Sequence, residues 1–219
     1  MINIYTNFLN LSEEKQDRIL RAAYSEFGKY GYKKTSVEQI ANSAEISKSM
    51  VFYYFKSKLG LFEFLIKRAW GKTYETYKDY LKDLENLDYI QQFDSISKIK
   101  LTSFKNEVEM FEFLLMLYQY PEDTKISKVV EEHYSKLVDF QTEVLGKIYT
   151  QDNNIYFKED IDTAFAKKYI QWIIEGYSNE LTQKLKLINF EDRDFDRDWE
   201  EYDQIILDLK KLFYKEEYQ

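Results

Sequence analysis

The chain has 219 residues, no cysteine, one histidine and a formal net charge of −8. The lack of cysteine excludes disulfides, thiolate nucleophiles and most zinc sites, and one imidazole leaves little scope for acid–base or metal chemistry. Every window of eighteen residues contains a charge, and the N-terminal segment lacks the pattern of an export signal. We therefore expect a cytoplasmic protein that makes no use of a membrane, is not an enzyme and needs no cofactor.

The charge is unevenly distributed along the chain. Residues 1–70 contain 11 Lys and Arg against 7 Asp and Glu, which gives +4. Residues 71–219 contain 20 against 32, which gives −12. This uneven charge suits an N-terminal region that binds a polyanion and a C-terminal region that does not.

The first predicted element is a helix from Ser12 to Tyr30. With one Pro and six Gly among many Lys, Glu and Leu residues, the composition predicts an all-α fold. Apolar residues recur at helical spacing between Ser12 and Tyr30, and Ser12 is a candidate N-cap. Gly31 provides the stop.

Two short helices are predicted next. Thr35 and Glu38 have the spacing of a capping box at the start of the first, and Ser47 can cap the second, which ends at Phe55. Two short helices joined by about four residues, with a longer helix in front, form the helix-turn-helix layout. The sequence thus predicts an N-terminal three-helix domain at residues 1–56.

The rest of the chain, residues 57–219, is predicted to be a larger helical domain, which we call the body. Ser57 can cap its first helix, and Pro121 marks a turn or a helix start. The later helices are predicted at Asp88 to Asn106, Glu107 to Tyr120, Thr124 to Thr150, Lys158 to Ile188 and Arg197 to Lys215.

The helix that begins after Ser47 contains an aromatic cluster whose orientation follows from helical geometry. Val51 and Phe55 turn back toward the supporting helices, whereas Phe52 and Tyr53 point outward. Outward aromatic rings beside Ser and Lys are explained by contact with thymine methyls, sugars and phosphates. The alternative is that Phe52 or Tyr54 packs under the first helix.

The segment from Arg18 to Leu65 resembles the DNA-binding domain of the TetR family of bacterial transcriptional regulators. The shared features are a Gly-aromatic turn, Thr-Ser before Ile-Ala, Ser-Lys at the second short helix, and an aromatic cluster followed by Lys. The resemblance implies a homodimeric repressor that binds a palindromic double-stranded DNA operator. It also implies release by a small apolar or aromatic inducer bound in the body.

The resemblance implies two sets of DNA contacts. The phosphate contacts would be Thr35, Ser36, Tyr54 and Lys58. The groove contacts would be Lys48, Ser49, Met50, Phe52 and Tyr53. Ser36 and Ser57 could instead act only as helix caps.

The chain departs from the usual family pattern at four positions. Glu45 and Ser49 stand where Gly is frequent, and Phe52 stands where Tyr is usual. Phe52 has no hydroxyl and cannot donate a hydrogen bond to phosphate. Gly60 replaces a helix-favouring Glu, at a local cost of roughly 1 kcal/mol by helix propensity.

Aromatic residues make up 18% of the chain, and many lie on helical stripes of the body. Each stripe could be core, but together they permit a cavity with apolar walls and polar tips. The candidate ligand-binding residues are Trp70, Tyr74, Tyr77, Phe104, Phe111, Tyr118, Tyr134 and Trp172.

The last two predicted helices have long apolar stripes, at Ile170 to Ile188 and Ile205 to Phe213. Each stripe could face its own core, or the two could form a homodimer interface, for which Ile174 and Leu181 are the candidate contacts. Two other functions stay open: a DNA-binding scaffold whose body binds a protein partner, and a helical enzyme or carrier that does not bind DNA.

Overall fold

The computed structural model describes residues 5–82, 84–117, 124–150, 154–187 and 195–219. In the described part of the chain the regular secondary structure is helical, apart from an isolated antiparallel bridge between Phe157 and Tyr214. The α-helices are α1 Thr6–Leu9, α2 Glu13–Lys34, α3 Val37–Ser43, α4 Lys48–Phe55, α5 Lys58–Leu81, α6 Tyr89–Asn106, α7 Val108–Leu117, α8 Thr124–Thr150, α9 Thr163–Leu187 and α10 Phe195–Phe213. Short 3₁₀ turns lie at Leu84–Asn86, Asn154–Tyr156 and Glu216–Tyr218.

The all-α class and the helix-turn-helix are confirmed. α8 has the predicted bounds, and the other predicted helices of the body differ at one or both ends by one to five residues within the described ranges. α1 was not predicted, because a single turn has no periodicity to detect. Gly31 has φ 72° and ψ 169°, which breaks α2 as predicted, but one more helical turn follows before Thr35.

The chain forms two compact units. One contains residues 1–77 and 102–142, and the other contains residues 78–101 and 143–219. The predicted boundary after residue 56 stays a prediction, because compactness does not establish which segment folds on its own.

The first unit is built on close packing of α7 against α2. The rings of Tyr24, Phe27 and Phe62 lie 5.2, 6.3 and 5.3 Å from the ring of Phe113. A β-carbon on Gly28 would lie 3.2 Å from the backbone nitrogen of Phe113, so the glycine permits the two helices to approach closely. This packing gives the helix-turn-helix a rigid support.

The helix-turn-helix is tied to α2 by a polar contact as well as by its core. Arg18 donates from Nε to the carbonyl oxygen of Ala44 over 3.1 Å, and its guanidinium lies 3.5 Å from the Glu45 carboxylate. Glu45 has φ 54°, in the left-handed region that favours glycine. The turn between α3 and α4 therefore holds a non-glycine residue in an unfavourable conformation.

The second unit is closed by a buried polar contact near the C-terminus. The Tyr214 hydroxyl donates to Asp88 Oδ1 over 2.9 Å and accepts from the backbone N–H of Ile90 over 2.9 Å. Asp88 also accepts from the backbone N–H of Gln91 and so caps α6. The end of α10 is thereby joined to the start of α6.

Candidate nucleic-acid interface

The exposed face of α4 is the centre of the candidate site. Phe52 and Tyr53 are 40% and 52% exposed, although both rings are large and hydrophobic. Val51 and Phe55 are 1% exposed, which confirms their predicted core positions. The helix therefore presents two aromatic rings to solvent while its opposite side anchors it.

The N-terminus of α4 adds polar groups to this face. Ser47 is the N-cap, and its hydroxyl oxygen accepts from the backbone N–H of Met50 over 3.3 Å. The Ser47 and Ser49 hydroxyl oxygens are 2.8 Å apart. Lys48 and Ser49 are exposed and Met50 is half-buried, so all three border the aromatic pair.

Thr35 is placed inside the domain. Its side chain is 1% exposed, and its hydroxyl lies 2.9 Å from the carbonyl oxygen of Glu26 and 2.8 Å from that of Gly31. The hydroxyl proton is therefore used in the bend that follows Gly31. We remove Thr35 from the candidate DNA contacts for this reason.

Tyr54 is also placed inside the domain. It is 2% exposed, and burial raises the pKa of its phenol. Its ring lies 6.1 Å from Phe8 and 5.5 Å from the exposed ring of Tyr53. Tyr54 thus supports Tyr53 from behind, and we remove it from the candidate contacts.

Ser36 begins α3 as an exposed capping residue. Its hydroxyl oxygen accepts from the backbone N–H of Gln39 over 3.1 Å, and its own N–H donates to Gln39 Oε1 over 2.8 Å. The capping box is therefore Ser36–Gln39, and the predicted pair Thr35–Glu38 was wrong by one residue. The Thr35 hydroxyl is committed to α2, which leaves the capping role to Ser36.

Two lysines frame the site. Lys58 lies with Nζ 4.4 Å from the ring centre of Tyr32, and it donates to the carbonyl oxygen of Lys33 over 3.5 Å. Partial burial lowers the pKa of the Lys58 ammonium. Lys48 lies 3.5 Å from the carboxylate of Glu38, and both of these side chains are more than half exposed.

Lys56 is a further basic residue of this surface that sequence reasoning missed. It has φ 67° at the end of α4 and donates from Nζ to the carbonyl oxygen of Tyr53 over 3.2 Å. Nζ also lies 5.8 Å from the ring centre of Tyr53. The only sequence signal was a lysine just after the aromatic cluster.

The predicted ligand-binding residues of α5 lie along one side of the helix. Trp70 is partly buried, and its indole N–H is buried without a hydrogen-bond partner among the described residues. Tyr74 and Tyr77 lie 4.9 and 6.0 Å from the ring of Phe140 in α8. Phe140 was not predicted, although it follows Leu137 at helical spacing.

Two of the other predicted ligand-binding residues lie in other helices. Phe111 is partly buried in α7. Trp172 belongs to the second unit, where it is 56% exposed on α9. Tyr118 and the side chains of Phe104 and Tyr134 lie outside the described residues.

α9 has an exposed apolar stripe that shares only Ile173 with the predicted one. Ile170 and Ile174 are 0% and 5% exposed and belong to the core of the second unit. The exposed residues form a different face of the same helix, with Phe165, Tyr169, Trp172 and Ile173 between 42% and 56% exposed. The proposal that Ile174 is an interface contact is therefore dropped, because its side chain already has a core to fill.

Across the ranges that the structure describes, no three His, Cys, Asp or Glu side chains are grouped as metal ligands would be. In the same ranges no helix combines the length and the apolarity needed to cross a bilayer.

Comparison with curated proteins finds HTH-type transcriptional regulators. The chain is 31% identical over 105 residues to the probable HTH-type transcriptional regulator YttP of Bacillus subtilis, covering 48% of this chain and 44% of YttP. It is 24% identical over 164 residues to IcaR of Staphylococcus aureus, a negative transcriptional regulator of the biofilm operon icaADBC, covering 75% of this chain and 76% of IcaR.

Solved structures share the fold over most of the chain. The transcriptional regulator FadR from Bacillus subtilis, solved in complex with stearoyl-CoA, aligns with a TM-score of 0.59 and 16% identity over 88% of this chain and 96% of FadR. A TetR-like regulator from Rhodococcus aligns with a TM-score of 0.57 and 18% identity over 90% of this chain and 97% of its own.

The family match falls on the segment that forms the candidate site. Residues 19–65 match the family of bacterial regulatory proteins, tetR family, and this range contains most of α2, all of α3 and α4, and the start of α5. The chain thus contains a segment of the TetR-family type at residues 19–65, and the curated proteins to which it is similar are HTH-type transcriptional regulators.

Proposed function

We propose that this protein is a DNA-binding transcriptional repressor that acts in the cytoplasm as a homodimer and is released from its operator by a small molecule. The observation that carries the proposal is the exposed Phe52–Tyr53 pair on the second helix of a helix-turn-helix. Single exposed apolar residues are normal on a protein surface, but adjacent exposed rings bordered by polar residues are a feature of interaction sites. The regulator's activity is binding, and no catalytic step is part of the proposal.

The proposed DNA surface has a basic rim and an aromatic centre. Its members are Ser36, Lys48, Ser49, Met50, Phe52, Tyr53, Lys56 and Lys58. Lysines at the rim neutralise phosphates and make the affinity depend on salt. Ser49 and Tyr53 carry groups that read base edges, and Phe52 offers an apolar face to thymine methyls.

The proposed dimer forms through the exposed stripe of α9. Exposed apolar rings at Phe165, Tyr169 and Trp172 lie at helical spacing, and Leu212 of α10 in the same unit is 59% exposed. Burying such a stripe against its symmetry mate gives a self-complementary interface. A two-fold dimer presents two recognition helices, the α4 helix of each copy, to half-sites of a palindrome.

The proposed inducer site is the aromatic group on α5. Trp70 provides an N–H for which the described part of the chain offers no acceptor, and Tyr74 and Tyr77 with Phe140 provide apolar surface. A small apolar or aromatic molecule with one hydrogen-bond acceptor suits these groups. α5 begins directly after the recognition helix, so a ligand that shifts α5 would act on α4.

Release requires the ligand to prefer one state of the protein over the other. An inducer that binds both states equally shifts nothing, however tightly it binds. We expect it to lower operator affinity by roughly 5- to 150-fold, the usual range of coupling between sites. IcaR is named a negative regulator, which supports repression as the form of regulation here. FadR was solved with stearoyl-CoA, which supports control by a small molecule.

The test is selection of DNA by the full-length protein from a random duplex pool. Enrichment of a palindromic sequence supports the proposal, and failure to enrich any sequence overturns it. Thermal shifts against a metabolite library then test the inducer. If no small molecule stabilises the protein while a protein partner does, the body serves as a scaffold instead.

A further inference from the structure

The N-terminal helix α1 lies outside the family-matched segment and has a role that the proposed function does not assign. The match covers residues 19–65, whereas α1 covers Thr6–Leu9. Phe8 is 0% exposed although it sits in a single helical turn near the chain terminus. A terminal turn of this length has almost no stability of its own, so its burial must come from packing.

Phe8 packs on the inner side of the recognition helix. Its ring lies 4.9 Å from Phe55, 6.1 Å from Tyr54 and 5.3 Å from Phe64 of α5. Phe55 and Phe64 are themselves 5.4 Å apart. Phe8 therefore fills the space between α4 and α5 at the place where the two helices meet.

Polar contacts fix the N-terminal segment on both sides of Phe8. Gln16 of α2 donates from Nε2 to the carbonyl oxygens of Leu9 and Leu11 over 3.1 and 2.9 Å. The ring of Tyr5 lies 4.6 Å from Phe64, and its hydroxyl donates to the carbonyl oxygen of Gly60 over 3.4 Å. The segment is thus joined to α2 and α5 while Phe8 contacts α4.

The ring contacts continue from Phe8 to the exposed surface. Phe8 contacts Tyr54, and Tyr54 lies 5.5 Å from Tyr53, which is 52% exposed in the proposed DNA surface. Because protein interiors are close-packed, a void at Phe8 is felt by the rings that it supports. Tyr54 thus connects Phe8, on the inner side of α4, with the exposed ring of Tyr53.

We propose that Phe8 is a positioning residue for DNA recognition: it acts from behind the recognition helix and sets the pose from which Tyr53 reads bases. The inference rests on the proposed DNA-binding function. It predicts that loss of Phe8 weakens discrimination between operator and other DNA more than it weakens general DNA binding.

The test compares full-length variants on two duplexes. The first probe is the sequence that the wild-type protein selects from a pool of random duplexes, and the second is a scrambled duplex of equal composition. The duplexes have about 30 base pairs, which is long enough for half-sites about 10 base pairs apart. For Phe8→Ala we expect the ratio of the two affinities to fall about tenfold, the scale of one lost base contact. Phe8→Leu should lower the ratio by a smaller factor, because it refills only part of the space.

Phe113→Leu is the matched control for lost stability. Phe113 is 0% exposed in the same unit and contacts Tyr24, Phe27 and Phe62, none of which belongs to α4. We expect it to lower the melting temperature without lowering the affinity ratio at a temperature where circular dichroism shows full helicity. If Phe8→Ala does not fold, Phe8→Leu is compared with Phe113→Leu, and a lower ratio for Phe8→Leu is then expected.

An unchanged ratio in the folded Phe8 variants, or an equal loss in Phe113→Leu, would overturn the inference. Failure of the proposed function would look different, because the wild-type protein would then select no sequence at all.

Discussion

Gly60, in the first turn of α5, lies against the carbonyl oxygen of Phe55, the last residue of the recognition helix. A β-carbon at residue 60 would approach that oxygen more closely than 3.0 Å, a separation that real β-carbons essentially never show. The glycine is therefore a condition for the tight junction between α4 and α5. Helix propensity alone predicts that a glycine at this position destabilises α5.

We predict that Gly60→Ala destabilises the protein. Alanine gains roughly 1 kcal/mol from helix propensity, but forced overpacking costs about 1–3 kcal/mol, so the net effect is a loss. Gly71→Ala is the control in the same helix, because a β-carbon there meets nothing within 4 Å. Urea denaturation should show a lower free energy of unfolding for Gly60→Ala and a higher one for Gly71→Ala. Stabilisation by both substitutions would show that the junction is looser than the structure indicates.

The left-handed conformation of Glu45 gives a second stability prediction. A non-glycine residue at φ 54° destabilises the folded state by roughly 1–2 kcal/mol through backbone strain. Glycine avoids this strain but loses about 0.5–1 kcal/mol in backbone entropy on folding. Glycine should therefore be more favourable than another residue at position 45. Glu45→Ala also removes the exposed pair with Arg18, but it keeps the strain. We expect the free energy of unfolding of Glu45→Gly to exceed that of Glu45→Ala by about 1 kcal/mol, as measured by thermal unfolding. Equal stability of the two variants would contradict this account of the turn.

Lys58 gives a prediction about salt. If its ammonium contacts phosphate, Lys58→Ala should weaken binding to all sequences alike and reduce the slope of log affinity against log salt by about 1. Lys147→Ala is the control, because Lys147 lies in the second unit and pairs with Glu143. Fluorescence anisotropy across a salt series measures both. An unchanged affinity and slope for Lys58→Ala would remove it from the phosphate contacts.

Assembly can be tested on α9. We predict that Trp172→Glu converts a dimer of twice 26.6 kDa into a monomer and abolishes operator binding, because it places a charge in the proposed interface. Ile155→Glu is the control, since Ile155 is 64% exposed in the 3₁₀ turn Asn154–Tyr156, outside α9. Ile174→Glu should instead unfold the second unit. Sedimentation velocity distinguishes these outcomes, and a Trp172→Glu variant that stays dimeric would place the interface elsewhere.

The sequence was informative wherever a local pattern decides the structure. The bounds of α8, the orientation of Val51 and Phe55, and the glycine break at residue 31 all follow from periodicity, helical geometry or backbone freedom. These features depend on residues that are close together in the chain.

Features that depend on distant parts of the chain were missed. The stripe at Ile170 and Ile174 indicated an apolar face but could not say whether a core or a partner covers it. The capping register was wrong by one because the Thr35 hydroxyl bonds back to α2. α1 was invisible because Phe8 is ordered by rings of α4 and α5 rather than by its own segment.

The most direct test of the central claim is DNA selection repeated with the wild-type protein and Tyr53→Ala, with Tyr218→Ala as the control for loss of an exposed tyrosine. We predict that the wild-type protein and Tyr218→Ala enrich the same palindrome, whereas Tyr53→Ala still binds DNA but loses preference at one position of each half-site. The claim is contradicted if Tyr53→Ala selects the wild-type sequence with undiminished preference.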